Sequence, residues 1–164
     1  MAQQSGGAVV LFAGLVLAGV YFTRDESLGR PAPALSLRET YGGHVDLQSY
    51  RGQPLLLVFW MPSCGICRAE LPLIDRMAPE FRGKGVAVVA IDVGDADAGR
   101  DYLRSNHIDV TSLEDTEGAA AQAYKVSGVP KLVLIGADGK IKRAQAGMAD
   151  ESGLREWMNA ATGS

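Results

Sequence analysis

Cys64 and Cys67 are the only cysteines in this 164-residue chain, and only Gly65 and Ile66 separate them. That spacing suits dithiol chemistry, in which one thiolate opens a disulfide and a second thiol resolves the mixed intermediate. Residues 55–60, LLLVFW, are a continuous apolar run of strand length that ends just before the pair. Beyond it, Leu71, Ile74, Met77, Ala78 and Phe81 recur on one helical face. Cys64 therefore falls at a strand-to-helix corner, where unpaired N–H groups and the helix dipole favour a negative sulfur. Cys67 lies about one turn further in, placed to act second. Two cysteines cannot supply the four thiolates of a zinc-binding Cys₄ site. A static disulfide or half of a metal site are the competing readings, and the corner argues against both.

The elements around the corner follow from periodicity. Residues 35–37 and 45–47 alternate around Gly42 and Gly43, which reads as an opening hairpin. Gly83 and Gly85 close the helix that carries Cys67, and residues 86–91 read as a second buried strand. Residues 98–107 and 118–124 read as helices, and 132–135 as a strand. Residues 141–146 are its hairpin partner across Asp138 and Gly139. Leu154, Trp157, Met158 and Ala161 mark a closing amphipathic helix. Strands alternating with helices, then a hairpin and a helix, imply an α/β protein: a three-layer α/β/α sandwich on a mixed central sheet, with the first hairpin added at its N-terminal side.

Residues 6–22 carry no charge. At about 1.5 Å per residue they would span roughly 25 Å as a helix, against a hydrocarbon core of about 30 Å. Snorkelling of flanking residues and local thinning of the bilayer accommodate that difference. The segment 1–23 is expected to be a membrane anchor, with a cleaved secretory signal as the alternative. Arg24 follows the segment and no Lys or Arg precedes it, the reverse of the usual orientation bias. Residues 24–32 have linker composition, so one folded domain is expected over 33–164. A net charge of −3 with dispersed Lys and Arg offers no basic face for nucleic acid.

On these residues the chain resembles the thioredoxin superfamily, and within it the TlpA/ResA-like branch of membrane-tethered extracytoplasmic reductases. The resemblance is carried by PALSLRETYGGHVDLQSYRGQPLLLVFW at 33–60, WMPSCGICRAELP at 60–72, YKVSGVPKLVLIGADGKI at 124–141 and the N-terminal apolar stretch. It implies a thioredoxin fold with Cys64 and Cys67 as the catalytic pair. It also implies a cis peptide between Val129 and Pro130, with the Val129 backbone pairing to a client strand and Trp60 as site wall and core. Glu70 matches an acidic residue of the branch, so the resemblance implies a proton-transfer role for it. The plainer alternative is a solvated Glu in the helix's first turns. Pro72 matches a helix-kinking proline.

Departures from the pattern matter as well. The superfamily's buried acid before the motif would fall at Val58, which leaves Glu70 as the leading substitute. Ser63 and Ile66 replace an aromatic and a proline, changes that bear on redox poise. Lys131 follows Pro130 where Thr is common, and is expected to point to water. His44 and His107 are expected at the surface.

The function expected from the resemblance is reduction of disulfides in exported clients, in cytochrome c maturation or copper-site assembly. Electrons would come from a membrane-embedded thiol donor, and the catalytic domain would lie on the periplasmic side. No metal and no organic cofactor is expected. A disulfide-forming oxidase, a Cu(I)-binding chaperone using the two soft thiolates, and a peroxidase are the alternatives. Met61 in place of a hydroxyl residue three before Cys64 makes the peroxidase the weakest of these.

Overall fold

Leu55–Trp60 forms strand β3, and all six side chains are buried. Alternation splits them: Leu56, Val58 and Trp60 enter one apolar cluster, while Leu55, Leu57 and Phe59 enter another on the opposite face. A strand covered on both sides has to be central, and the remaining elements arrange themselves around it.

The computed structural model describes residues 27–163. The anchor or signal expected over 1–23 and the first residues of the linker lie outside the described residues. Before β3 come β1 (Ser36–Glu39), β2 (His44–Asp46) and a 3₁₀ turn (Leu47–Tyr50). After it come α1 (Gly65–Gly83), β4 (Ala87–Asp92), α2 (Ala96–Ser105), β5 (Thr111–Glu114) and α3 (Ala119–Ala123). The chain closes with β6 (Lys131–Ile135), β7 (Ile141–Ala146) and α4 (Glu151–Thr162). Among the described residues no helix is long and apolar enough to cross a membrane.

The seven strands form one mixed sheet in the order β2-β1-β5-β4-β3-β6-β7. β3 runs parallel to β4 and antiparallel to β6, and β4 runs parallel to β5. Residues of α1, α2 and α4 share the cluster of Trp60, and those of the 3₁₀ turn and α3 share the cluster of Phe59. This is the three-layer α/β/α sandwich expected. The opening hairpin joins the parallel core through β5, to which β1 pairs antiparallel. That strand was not anticipated from sequence, because Thr-Ser-Leu-Glu is short and carries no apolar run. Residues Gly29 and Ala32, from the stretch read as linker, donate to the Ile141 and Gly139 carbonyls of the β6–β7 hairpin.

The helix α1 runs through both Pro72 and Pro79 without ending. Pro72 has no N–H, so the carbonyl of Arg68, four residues earlier, loses its helical donor. The Tyr102 hydroxyl on α2 donates to that carbonyl at 2.8 Å. The same ring packs on Trp60 and lies under the Arg68 guanidinium. A tyrosine from a neighbouring helix thus supplies the bond that the proline removes, close to the cysteine turn.

Tyr102→Phe should cost about 1 kcal/mol in urea unfolding, the size of one net hydrogen bond. In a Pro72→Ala background, which restores the backbone donor, the cost should shrink. An equal cost in both backgrounds would show that the hydroxyl does not compensate for the proline.

Candidate active site

Cys64 is the N-cap of α1: its backbone is extended, and its Sγ accepts the Cys67 N–H at 3.2 Å. The first turn of a helix has N–H groups without helical partners, and one of them points at the sulfur. Cys64 and Cys67 are joined as a disulfide, with their Cα atoms 5.3 Å apart. Cys64 is half-buried and Cys67 is fully buried, so a partner reaches the first sulfur and not the second. A negative charge on Cys64 after opening would be stabilised by the amide and by the positive end of α1.

Val129 and Pro130 are joined by a cis peptide bond. The Val129 carbonyl oxygen lies 3.8 Å from Cys64 Sγ, which brings this loop against the exposed cysteine. Gly147 N–H donates to the Pro130 carbonyl at 2.8 Å and ties in the loop after β7. That loop also reaches Glu70, since Ala149 N–H donates to Glu70 Oε1 at 2.7 Å. Cys64, Cys67, Glu70, Val129 and Pro130 thus gather at the end of the sheet where β3 stops. Ile66 stands 58% exposed between the cysteines.

Glu70 is 1% exposed, so it is not the solvated side chain of the plainer reading. It shares the inward face of α1 with Cys67 and Leu71, and its Oε2 has no hydrogen-bond partner among the described residues. Burial pushes its carboxyl up to about 7, and the Ala149 amide opposes that rise. A buried carboxyl poised near neutrality is equipped to hold or release a proton beside a buried thiol.

Of the three residues expected to meet a client, Val129 is half-buried, whereas Pro130 and Trp60 are buried. Trp60 is fully buried, packs on Tyr102, and has no partner for its Nε1 among the described residues. Val58 is core, as its type requires. Lys131 corrects an expectation: it is buried instead of pointing to water, and its Nζ donates to the Tyr124 and Lys125 carbonyls. His44 and His107 are both exposed. Among the described residues no three His, Cys, Asp or Glu side chains group to hold a metal.

Asp92, not singled out from sequence, ends β4 directly beside Trp60 and is 3% exposed. Its Oδ1 accepts the Gly94 N–H at 2.8 Å, and Gly99 leaves room for its other oxygen, since a Cβ there would overlap it. Burial first, then nearby Glu114 and Asp95, push its carboxyl up to about 6, against the Gly94 amide. The available signal was an acid closing an apolar strand run, which periodicity alone reads as a strand end.

The Glu70 shift sets a pH dependence. Its carboxyl rises from the ordinary 4.5 to about 7 in the folded chain, so the folded state holds the extra proton between those values. Stability from this group is therefore fully present below about pH 4.5 and is lost as pH rises through about 7. Glu70→Gln keeps an acceptor for Ala149 and cannot titrate. The melting temperature of the wild type should fall relative to Glu70→Gln across that window. Parallel curves would show that Glu70 titrates normally.

A family model described as the AhpC/TSA family matches residues 28–144. The thiol-disulfide oxidoreductase ResA of Bacillus subtilis is 30% identical over 149 residues, covering 89% of this chain and 83% of that protein. A thioredoxin-like protein of Haemophilus influenzae is 31% identical over 135 residues, covering 82% of this chain and 79% of its own. Among solved structures, a secreted Mycobacterium tuberculosis disulfide oxidoreductase homologous to E. coli DsbE superposes with a TM-score of 0.67. It is 27% identical, and the match covers 77% of this chain and 96% of that one. The match to the family model extends over the motif, the cis-proline loop and the sheet that carries both, so the chain belongs to the AhpC/TSA family and, within it, to the ResA-like thiol-disulfide oxidoreductases of the thioredoxin superfamily.

Proposed function

We propose that this oxidoreductase is a reductant of exported proteins, with Cys64 as the attacking residue and Cys67 as the resolving one. The observation that carries the division of roles is the asymmetry of the pair: a half-exposed sulfur capping a helix, backed by a fully buried one. In the reduced enzyme the Cys64 thiolate attacks one sulfur of a client disulfide. An S–S bond forms between enzyme and client, and the client's other sulfur leaves as a thiolate. Cys67 then loses its proton to the Glu70 carboxylate and attacks Cys64 Sγ. The client's second sulfur departs, and the Cys64–Cys67 disulfide remains. Two electrons pass to the client, and a thiol donor must return them.

Val129 offers the backbone edge for the client chain beside Cys64, and Pro130 holds that edge in place. Exported clients whose cysteines must be free before haem attachment or copper loading fit this chemistry. The N-terminal apolar segment would tether the domain at the extracytoplasmic face, near a membrane-embedded thiol donor. An oxidase built on the same pair would run the exchange in reverse, so the redox potential separates the two.

Equilibrating the chain with graded thiol-disulfide buffers should give a standard potential at or below that of thioredoxin, about −270 mV. A value close to that of the oxidant DsbA, about −120 mV, would reverse the proposed direction. Cys64→Ser should abolish turnover on a protein disulfide. Cys67→Ser should instead accumulate a mixed disulfide, seen as a mass adduct that dithiothreitol removes. Near-normal turnover by Cys67→Ser would be incompatible with dithiol exchange, and unchanged biological activity of that variant would favour thiolates that bind Cu(I) without redox turnover.

A further inference from the structure

Lys131 is a buried cation next to the cis-proline, and the exchange steps above do not use it. Burying an ammonium is costly unless its donors are satisfied. Here Nζ donates to the Tyr124 carbonyl at 2.9 Å and to the Lys125 carbonyl at 3.2 Å. Tyr124 is the C-cap of α3, and Lys125 follows it with a φ of 51°. Carbonyls at a helix C-terminus have no helical donors, so these two need an outside partner. Lys131 supplies one from the far end of the same connection.

The connection in question, residues 124–130, carries Val129 to Cys64. Val126 N–H donates back to the Ala121 carbonyl. Ser127, Gly128 and Val129, by contrast, donate no backbone hydrogen bond to another described residue. The path of these three residues is therefore set by their anchors. At one end Lys131 clips the exit of α3. At the other, Gly147 N–H holds the Pro130 carbonyl, and Lys131 itself is in register with Phe59 and Ala146. One side chain thus fastens the start of the loop to its end.

The sheet also decides how the charge can act. Leu132 belongs to the cluster of Cys67, and Val133 to the opposite one. Strand alternation puts Lys131 on the side of Val133, with the sheet between it and Cys67. Lys131 therefore does not pack against Cys67, and its structural link to the site is the loop.

We infer that Lys131 is a positioning residue: by clamping residues 124–130 it holds the Val129 backbone in place to receive a client strand. This rests on the proposed pairing of Val129 with the client. It predicts a selective effect, since a protein disulfide needs that strand-like docking and a small disulfide needs only the sulfur.

The test uses the full chain with dithiothreitol as electron source. Reduction of insulin is compared with reduction of 2-hydroxyethyl disulfide. Lys131→Met keeps the hydrocarbon length and removes the donors. It should raise KM for insulin about tenfold, the order expected when a hydrogen bond or two to the docked strand weaken. The kcat on insulin, the rate on the small disulfide and the standard potential should all stay within error of wild type. Lys131→Gln, which keeps an amide donor, should fall between the two and serves in place of Lys131→Met if that variant does not fold. An unchanged insulin KM in whichever variant folds would overturn the inference. So would equal losses on both disulfides, or a shifted potential. If wild type itself shows no preference for insulin over the small disulfide, the Val129 pairing fails and the role of Lys131 fails with it.

Discussion

The amide of Cys67 donates to the sulfur of Cys64, which makes the first cysteine the cap of the helix that holds the second. A helix start has N–H groups with nowhere to go, and a sulfur that can carry negative charge is a suitable acceptor for one of them. For that contact to exist, the apolar strand must stop at Trp60 and the helix must start at Gly65. The rest of the sheet serves this junction. β4 and β6 flank the strand, and the helices on one side bury Cys67 while leaving Cys64 at the rim.

Around this junction several polar groups are buried or drawn into specific contacts, and each answers to a different need. Glu70 has one oxygen satisfied by Ala149 and one unpaired, a state that favours its neutral form. Asp92 sits beside Trp60 with its carboxylate fitted against two glycines. Lys131 lies across the sheet and satisfies the carbonyls at the end of α3. Tyr102 repairs the gap that Pro72 opens in α1. Unpaired polar atoms in a protein interior are costly, and Glu70 Oε2 is one of the few that remain among the described residues.

The cysteine pair, the apolar strand before it and the amphipathic face after it were legible because each depends on local spacing. So was the hairpin across Asp138 and Gly139, where turn chemistry is local. Strand β5 was not, because four residues with two hydroxyls carry too weak a period to register. Its identity comes from pairing with β1 and β4, which lie far away in sequence.

The chain by itself determined the cysteine pair and its spacing, the order of elements apart from β5, and the kinship that pointed to the cis-proline loop. Only the tertiary structure decided which polar side chains would be buried. Glu70 and Lys131 both have the composition of surface residues. One lies inside because α1 turns that face toward the loop after β7, and the other because the sheet turns it toward α3. Burial is a property of what packs against a residue: the partner of Glu70 lies far away at Ala149, and Lys131 meets the nearby Tyr124 and Lys125 carbonyls only because the sheet turns its strand toward α3. No local pattern carries it.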